Sequence, residues 1–425
     1  MRFRSCVLAV GGLLTLTSAA IAQQGRGYGS PGLLAVPESS PSYVNPWRGQ
    51  AYPTSAQIEE PSPADMVPPI PEAPVDTGSM YDEALSNDDY SGCGDCCTPC
   101  TPRWYVAAGG LYMNRDGSND FWTTYENNVP FNQMMHSPDT DWNGGFFATI
   151  GHRFGCCSQH AIEGSFWMLD PLEGENQVGR TGANTLATPI DLGDVTIGPN
   201  PATFYFDDAQ THRITRHDEI YNVEVNYYYD LLPAAYNRAF SAQLLMGVRY
   251  FRFDENLVFS SVINGSTFGA NGGADEAHLG IRAENNLVGF QIGTRLNYYL
   301  TQDLSFFATP KFGIYGNDIQ QRVSLASGDG FNGVAAPVGG PVGGFPFESS
   351  KRDVSVLAEL DLGVNWQLTQ RWSVFGGYRL VAVSGLALSD EQIPAFLVDY
   401  PAINDIDSNG HLLLHGGFAG VQYAY

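Results

Sequence analysis

Two groups of cysteines are the residues best suited to covalent or metal chemistry. They are Cys93, Cys96, Cys97 and Cys100, followed by the adjacent pair Cys156 and Cys157. Closely spaced thiols form disulfides in an oxidising compartment or, as a set of four, bind zinc. The sequence has seven cysteines, and we expect Cys6 to be removed with a signal peptide, which leaves six. An even number of cysteines in an exported chain favours disulfides, with a four-cysteine zinc site and free thiols as the alternatives. The spacing specifies no connectivity, and we expect neither a metal nor another cofactor.

A second set of candidate residues consists of charged side chains that recur on one face of alternating segments. They are Glu224, Arg249, Arg295, Lys311, Glu359, Asp361 and Arg379. If these segments are strands around a common interior, both signs of charge meet in a narrow space. The charges would then form a buried ion-pair network that fills the interior, or a charged constriction that selects solutes.

Histidines and aspartates form the one grouping that could suggest hydrolysis. They are Asp207, Asp208, His212, His217 and Asp218. His212 and His217 are an odd number of positions apart, so on a regular strand they point to opposite faces and cannot line one cleft. The sequence contains no G-x-S-x-G, H-E-x-x-H or P-loop motif. We therefore expect no catalytic residues and no enzymatic activity.

The first part of the chain indicates export and a separate leader. Arg2 and Arg4 precede an apolar stretch that ends in the small-residue cleavage site at 20–22, which is typical of a signal peptide over residues 1–22. Residues 23–102 are rich in proline and poor in large apolar residues, so we expect a disordered linker that carries the first cysteine cluster. The folded domain is expected to span residues 103–425.

Within this domain the sequence predicts about ten β-strands. Their approximate ranges are 104–114, 144–155, 160–170, 214–230, 238–254, 286–300, 303–318, 352–369, 371–385 and 412–425. Short connections alternate with long ones throughout, as in outer-membrane barrels, whose periplasmic turns are tight and whose external loops are long. Some external loops are expected to continue as hairpins, for instance 257–263 with 278–282. The predicted fold class is an all-β, antiparallel up-and-down transmembrane β-barrel.

Aromatic residues cluster beside the predicted short turns and chain ends, which predicts one girdle at the inner membrane interface. They are Trp104, Tyr105, Tyr227, Tyr228, Tyr229, Tyr298, Tyr299, Phe306, Phe307, Trp366, Trp372, Tyr423 and Tyr425. On the strands between, Val288, Ile292, Leu360 and Val364 are predicted to face lipid, and Gln291 and Asn365 the lumen. Pro310 falls inside a strand that has no free edge, so we expect a bulge there.

The last strand and the composition agree with a barrel in a membrane. Residues 412–425 alternate up to the terminal Tyr425, as expected of a strand that closes a barrel and leaves no open edge in lipid. Lys and Arg number 21 against 45 Asp and Glu, so nucleic acid is not an expected partner. The expected partners are outer-membrane lipid, the barrel assembly machinery through the C-terminal strand, and cell-wall material through the leader.

Three short motifs carry a family resemblance. They are Arg-Trp-Tyr-Val-Ala-Ala-Gly-Gly-Leu-Tyr over 103–112, Met-Gly-Val-Arg-Tyr-Phe over 246–251, and Leu-His-Gly-Gly-Phe-Ala-Gly-Val-Gln over 414–422. Together with the Pro-rich leader and the cysteine cluster, they resemble a porin-like outer-membrane β-barrel family of unknown function that is abundant in planctomycetes. The resemblance implies a barrel located in the cell outer membrane and supplies no catalytic residues.

The expected function is therefore a structural or narrow-pore role, with passage of ions or small solutes in the second case. A barrel of about ten strands is only slightly wider than one that eight strands fill with side chains, which favours a largely filled lumen. The alternative is a secreted or surface β-sandwich that binds a partner, and a hydrolase at the barrel rim is a weaker one. The sequence predicts no oligomeric state.

Overall fold

The computed structural model describes residues 103–116, 121–127, 129–155, 158–180, 182, 184–232, 239–336 and 342–425. Its elements in chain order are β1 (Trp104–Asp116), β2 (Trp122–Glu126), β3 (Val129–His136), β4 (Asn143–Phe154), β5 (His160–Gly179), β6 (Leu186–Ala187), β7 (Val195–Ile197), β8 (Asn200–Pro201), α1 (Thr203–Phe206), β9 (Thr211–Leu232), β10 (Phe240–Val262), a 3-10 turn (Ala270–Gly273), β11 (Glu276–Tyr299), β12 (Leu304–Ser327), β13 (Gly333–Ala335), β14 (Gly343–Gly344), β15 (Phe347–Gln367), β16 (Trp372–Leu386), α2 (Tyr400–Asn404) and β17 (Gly410–Ala424). Within these ranges no helix has the length and apolarity needed to cross a membrane.

Ten of the strands form one closed antiparallel barrel in the order β1-β17-β16-β15-β12-β11-β10-β9-β5-β4. β1 pairs with β17 from Tyr105 opposite Ala424 to Asp116 opposite Leu413, and with β4 on its other side. The first and last strands therefore leave no open edge, which is the condition for a sheet in lipid. The predicted fold class is confirmed, and the β-sandwich alternative is wrong because the ten strands close into a single sheet.

The barrel strands are longer than predicted at the end away from the short turns. β10 and β11 pair without interruption from Phe240 opposite Tyr298 to Val262 opposite Glu276, so the predicted hairpin above the bilayer is confirmed as a continuation of the wall. The bulge predicted at Pro310 is wrong. The β11–β12 ladder skips the pairs at this point but resumes in the same register, and Pro310 stays opposite Leu360 of β15. The pairs on both sides hold the register although proline donates no hydrogen bond.

An apolar band surrounds the outer face of the barrel on the side of the short turns. On β11, Val288, Phe290 and Ile292 are 62%, 76% and 64% exposed, whereas Gln291 between them is buried at 2%. Successive side chains of a strand point to opposite faces, so every second residue meets the barrel's surroundings. Such alternation is expected of a strand with lipid on one face and a polar lumen on the other.

The predicted aromatic girdle is only partly correct. Trp104 and Trp366 are exposed on the outer face, as predicted. Tyr105 and Tyr228 are buried at 6% and 1% and point into the lumen, and Phe307 packs against the apolar cluster inside the barrel. The error arises because adjacent aromatic residues on a strand cannot share a face.

Above the barrel wall, the long connections fold into a cap. β7, β8, β13 and β14 form a four-stranded sheet, and β2, β3 and β6 form a three-stranded sheet. One cluster of buried residues joins this cap to the upper parts of the barrel strands; it includes Ile197, Phe206, Phe259, Leu279 and Leu325. The cap therefore has an apolar core of its own.

Several predictions concern residues beyond the described ranges. The signal peptide (1–22), the linker (23–102) and the six candidate cysteines all lie outside the described residues. They stay predictions.

Candidate functional site: the barrel lumen

The lumen contains a hydrogen-bonded cluster near the short turns. Glu163 accepts hydrogen bonds from the hydroxyls of Tyr105 (2.8 Å) and Tyr228 (3.0 Å). Arg295 donates from Nη2 to Glu163 Oε1 at 3.0 Å and lies over the Tyr228 ring, with its Cζ 4.2 Å from the ring centre. The carboxylate thus has one cation and two phenols as partners, which is how a buried charge is stabilised.

Next along the lumen is a four-membered charge network. Arg249 Nη2 lies 2.5 Å from Glu224 Oε1 and 2.6 Å from Glu359 Oε2. Lys311 Nζ lies 3.0 Å from Glu224 Oε2 and 2.9 Å from Glu359 Oε1, so cations and anions alternate. Register explains the arrangement, because Arg249 is directly opposite Glu224, and Lys311 directly opposite Glu359, on neighbouring strands.

A third cation extends this network around the wall. Arg379 donates from Nε and Nη2 to the two carboxylate oxygens of Asp361, at 2.7 and 2.8 Å, and lies 3.8 Å from Glu359. Planar two-point pairing of this kind is the strongest geometry available to a guanidinium and a carboxylate. Three cations therefore face three carboxylates in this layer. Glu224 also accepts hydrogen bonds from three amides, those of Asn222, Asn226 and Gln291.

Beyond the charges, apolar side chains from all around the barrel meet in the lumen. The cluster of buried residues is formed by Leu111, Met113, Trp167, Leu169, Leu172, Ile220, Phe251, Phe253, Leu287, Tyr315, Leu357, Val381, Val383, Leu386, Leu388, Leu412, Leu414 and Phe418, with Phe147 packed against it. Every one of the ten barrel strands contributes to this set. Phe251, Leu357 and Val381 have no exposed surface at all. The middle of the barrel thus has the packing of a protein core.

A second ion-pair network lies above the apolar cluster. Arg115 Nη1 is 3.0 Å from Asp218 and 2.6 Å from Glu255. Arg216 pairs with Asp390 at 2.8 Å and lies 3.5 Å from Glu255. Among the described residues, three carboxylates share two guanidiniums here.

Burial and the neighbouring charges shift the pKa values of two of these carboxyl groups. Burial raises the pKa of Asp218 to about 6, with the neighbouring Glu255 charge acting in the same direction and Arg115 opposing it. Burial opposes ionisation of Glu255 as well, but Arg115 and Arg216 outweigh it and lower the pKa of Glu255 to about 2. Asp218 is therefore the carboxyl group of this network that takes up a proton as the pH falls toward 6.

The structure brings together most of the charged residues proposed from sequence. Glu224, Arg249, Lys311 and Glu359 form one network, which Arg379 and Asp361 join. Arg295 is separate and pairs with a carboxylate that sequence reasoning missed, Glu163. Reading the inward face of the strand at 160–170 as closely as the others could have found Glu163. The upper network was also missed, because its strands were predicted too short and Asp390 lies in a loop.

The histidine and aspartate grouping does not converge on one cleft. His212 is fully buried, hydrogen-bonds through Nδ1 to Thr124 Oγ1 at 2.9 Å, and packs against Phe259. Burial lowers the pKa of His212 to about 3, so this imidazole is neutral. His217 is on the outer face, 3.4 Å from Glu173, and Asp218 points inward to Arg115. In the part of the chain that the structure describes, no group of three or more His, Cys, Asp or Glu side chains is placed to hold a metal ion.

Comparison with known proteins gives one family match. A family model described as "Putative beta barrel porin-7 (BBP7)" matches residues 132–406. No curated protein matches the chain.

Several solved structures share the general architecture at low similarity. The outer membrane protease OmpT from Escherichia coli is 12% identical, with 77% of this chain and 98% of that chain covered and a TM-score of 0.39. The attachment invasion locus protein Ail of Yersinia pestis is 6% identical, with 77% and 100% covered and a TM-score of 0.21. The toluene transporter TodX of Pseudomonas putida is 10% identical, with 76% and 89% covered and a TM-score of 0.26. Likeness at this level says nothing about the activity of the present chain.

Proposed function

Because the chain belongs to the beta barrel porin-7 family, we propose that it is an outer-membrane barrel with a closed lumen and a structural role. In this proposal the barrel anchors the cap in the membrane and holds it at the outer surface. The lumen charges stabilise the barrel from inside and do not conduct.

The observation that carries the proposal is the apolar cluster across the lumen. A conducting pore needs a continuous wet path, and a selective pore lines that path with polar groups. Here side chains from all ten strands pack together between the two charged networks. A solute would have to displace residues such as Leu357 and Val381, which have no exposed surface.

The pairing of the charges supports the same conclusion. The side chains of Arg249 and Glu359 have no exposed surface, and that of Glu224 is 1% exposed. A buried charge without a partner costs several kcal/mol, and pairing with an opposite charge offsets part of this cost. The network thus fills this part of the lumen. Its charges could interact with a passing ion only after the ion pairs within the network were broken.

A narrow pore is the second candidate, and a limited observation favours it. Arg295 and Arg379, on the side of the short turns, retain 28% and 12% side-chain exposure. A shallow vestibule could therefore admit ions from that side. The apolar cluster lies beyond this vestibule, so ions could enter the vestibule but could not cross the barrel.

The proposal includes no catalytic step. His212 is buried and neutral, and His217 is on the outer face, so the two cannot act on one substrate. Replacing both with alanine should leave any peptide cleavage by the purified barrel at the background rate. A cleavage activity that both replacements abolish would restore the hydrolase alternative.

Export and assembly complete the proposal. We expect removal of residues 1–22, assembly through the β17 strand, and contact of the leader with cell-wall material. Disulfides among Cys93, Cys96, Cys97, Cys100, Cys156 and Cys157 are expected, and a mass shift after reduction and alkylation would detect them.

Liposome swelling tests the closed lumen. The purified protein should be reconstituted and shown to migrate faster unboiled than boiled, which verifies a folded barrel. In an osmotic gradient of small sugars, these liposomes should then swell no faster than protein-free ones, while an open porin gives rapid swelling. Swelling that depends on sugar size would contradict a closed lumen and favour the narrow pore.

A further inference from the structure

A charged groove lies on the outer face of the barrel, above the apolar band. It has a volume of about 410 Å³, and its lining includes Glu219, Asp254, Asn256, Gly280, Arg282 and Arg322. These residues come from four neighbouring strands, β9, β10, β11 and β12. The groove therefore opens sideways, toward whatever surrounds the barrel, and not into the lumen.

The height of the groove follows from strand geometry. Glu219 is two residues beyond Tyr221, which belongs to the apolar band on β9, and Arg282 is six residues beyond Val288 on β11. Strands rise about 3.3 Å per residue and tilt by about 40° in such barrels. The groove thus begins within roughly 5 Å of the apolar band, and Arg282 lies roughly 15 Å above the band. The headgroup layer of a bilayer begins beside the lower part of the groove, and only a large headgroup reaches the arginines.

Two arginines in the groove face each other across strands. Arg282 and Arg322 are directly opposite on β11 and β12, an arrangement of like charges that destabilises a sheet. Arg282 donates from Nε and Nη2 to Asp254, and Arg322 donates from Nη1 to Glu348 at 2.9 Å. Among the described residues, Arg282 Nη1 and the Nε and Nη2 of Arg322 have no hydrogen-bond acceptor. With side chains 49% and 54% exposed, both guanidiniums can bind an anion between them.

The side of the groove formed by β9 and β10 offers groups that bind hydroxyls. The Glu219 carboxylate is 38% exposed, and its Oε1 lies 3.6 Å from His217 Nε2. The side-chain amide of Asn256 forms no hydrogen bond within the described ranges. Two residues farther from the apolar band than Arg282, Gly280 is directly opposite Ser324. The glycine keeps this part of the groove open, because a Cβ there would lie 2.7 Å from Ser324 Oγ.

We propose that this groove binds the phosphorylated, hydroxyl-rich headgroup of a lipid in the surrounding outer leaflet. The phosphate would lie between Arg282 and Arg322, where it relieves the repulsion of the two cations. Hydroxyl groups would bind Glu219 and Asn256. A lipid is the expected source of the phosphate because the groove starts at the edge of the apolar band, so a molecule with its acyl chains on the barrel reaches it directly. The site requires only that the barrel is embedded in a bilayer, whether or not its lumen conducts.

Lipid retention tests this site. Wild-type barrel would be reconstituted in phosphatidylcholine nanodiscs with a minor fraction of lipid A or of the same lipid A after removal of its phosphates. We expect native mass spectrometry to show at least about tenfold more phosphorylated than dephosphorylated lipid A bound. Arg282→Gln with Arg322→Gln should abolish this preference. Arg352→Gln is the matched control, since this exposed arginine pairs with Asp318 outside the groove, and it should retain the preference.

Two further measurements distinguish a loss of lipid binding from misfolding, and a lipid from a free sugar phosphate as the ligand. Gly280→Val should fill the groove without changing its charge and should also abolish the preference. Every variant must migrate as a folded barrel on unboiled gels, and if the double arginine variant does not, Gly280→Val decides. The site would be overturned if wild type bound the two lipids equally. It would also be overturned if Arg352→Gln lost the preference for phosphorylated lipid A as completely as the double arginine variant. Glucose 1-phosphate binding as tightly as lipid A would overturn the lipid source.

Discussion

Arg216 of β9 donates a hydrogen bond over 2.8 Å to Asp390, a residue 174 positions later in the sequence. This buried pair holds the connection between β16 and β17 against the barrel wall. The backbone N–H of Ser389 donates to Glu255 Oε2 at 2.7 Å and fixes the same segment. The last external connection is thus part of the barrel interior, and it lies over the apolar cluster of the lumen through Leu388.

Removing the Arg216 guanidinium should release this connection. We expect Arg216→Met to lower the free energy of unfolding by about 3–5 kcal/mol, because Asp390 and Glu255 would keep buried charges with one cation fewer. Urea titration of the folded fraction on unboiled gels measures the loss. Limited proteolysis should show new cleavage between residues 387 and 409. Arg352→Met is the control: the side chain of Arg352 is 89% exposed, and its loss should cost less than about 1 kcal/mol.

The upper network predicts a pH dependence of stability. The pKa of Asp218 is raised to about 6 in the folded protein, above the ordinary value of 3.8. The folded state therefore binds a proton more tightly than the unfolded state, so stability should rise as the pH falls from 7 through 6 toward 4. The expected gain is roughly 1–3 kcal/mol. Below about pH 4 the trend should reverse, because the pKa of Glu255 is lowered to about 2 and its protonation weakens the pairs.

Asp218→Asn isolates this effect. The variant should be more stable than wild type at pH 8, since it removes a carboxylate whose ionisation burial opposes, and should lose the rise between pH 7 and 4. Thermal unfolding in detergent at several pH values measures both. An unchanged rise in the variant would assign the pH dependence to another group.

Charged substitutions on the outer face should lower the stability of the barrel in lipid. Val288→Arg or Ile292→Arg should destabilise the barrel in lipid by about 2–4 kcal/mol, because both side chains lie exposed in the apolar band. Asn365→Arg, on the lumen side of β15 and only partly buried, should cost much less. Gln291 is unsuitable as the lumen control that the sequence suggested, because it is buried and bonded to Glu224. Equal costs for Val288→Arg and Asn365→Arg would contradict the assignment of faces.

One inward glycine should tolerate no side chain. A Cβ at Gly151 would lie 2.1 Å from the Tyr105 ring, which covers this position and donates its hydroxyl to Glu163. Gly151→Ala should therefore displace Tyr105 and cost about 1–3 kcal/mol. Gly164→Ala is the matched control on the outer face, where the nearest atom would be 3.9 Å away. The difference in urea midpoint between the two variants checks the packing of this ring.

The barrel could be predicted from sequence because its signals are local and repeated. Alternation on strands such as 286–300, and short turns alternating with long connections, specify an up-and-down barrel without knowledge of any contact. On the external side the sequence predicted the hairpin 257–263 with 278–282, but not that the hairpin continues the barrel strands without interruption. There the outer face becomes polar, so residues 255–262 and 276–285 lose the lipid-facing pattern although they remain paired.

The partners within the lumen could be predicted only in part. Glu224, Arg249 and Glu359 were recognised as inward charges, since alternation assigns each residue to a face. The Arg249–Glu224 pair follows from the register of two neighbouring strands, over 25 positions of sequence. The Arg249–Glu359 pair depends on which strands face each other across the lumen, over 110 positions. Asp390 carries no periodic signal because it lies in a loop. The apolar cluster was not anticipated, since members such as Leu357 and Val381 lie between apolar residues of the outer face, so alternation of polarity does not mark them.

Planar-bilayer recording of the wild-type protein tests the closed lumen most directly, with Glu359→Gln plus Asp361→Asn as the companion variant. A closed lumen predicts almost no conductance for wild type. It also predicts that the variant chiefly loses stability, because Arg249, Lys311 and Arg379 would keep their charge beside neutral partners. Steady wild-type channels whose ion preference shifts toward anions in the variant would contradict it, because the carboxylates would then line an open path.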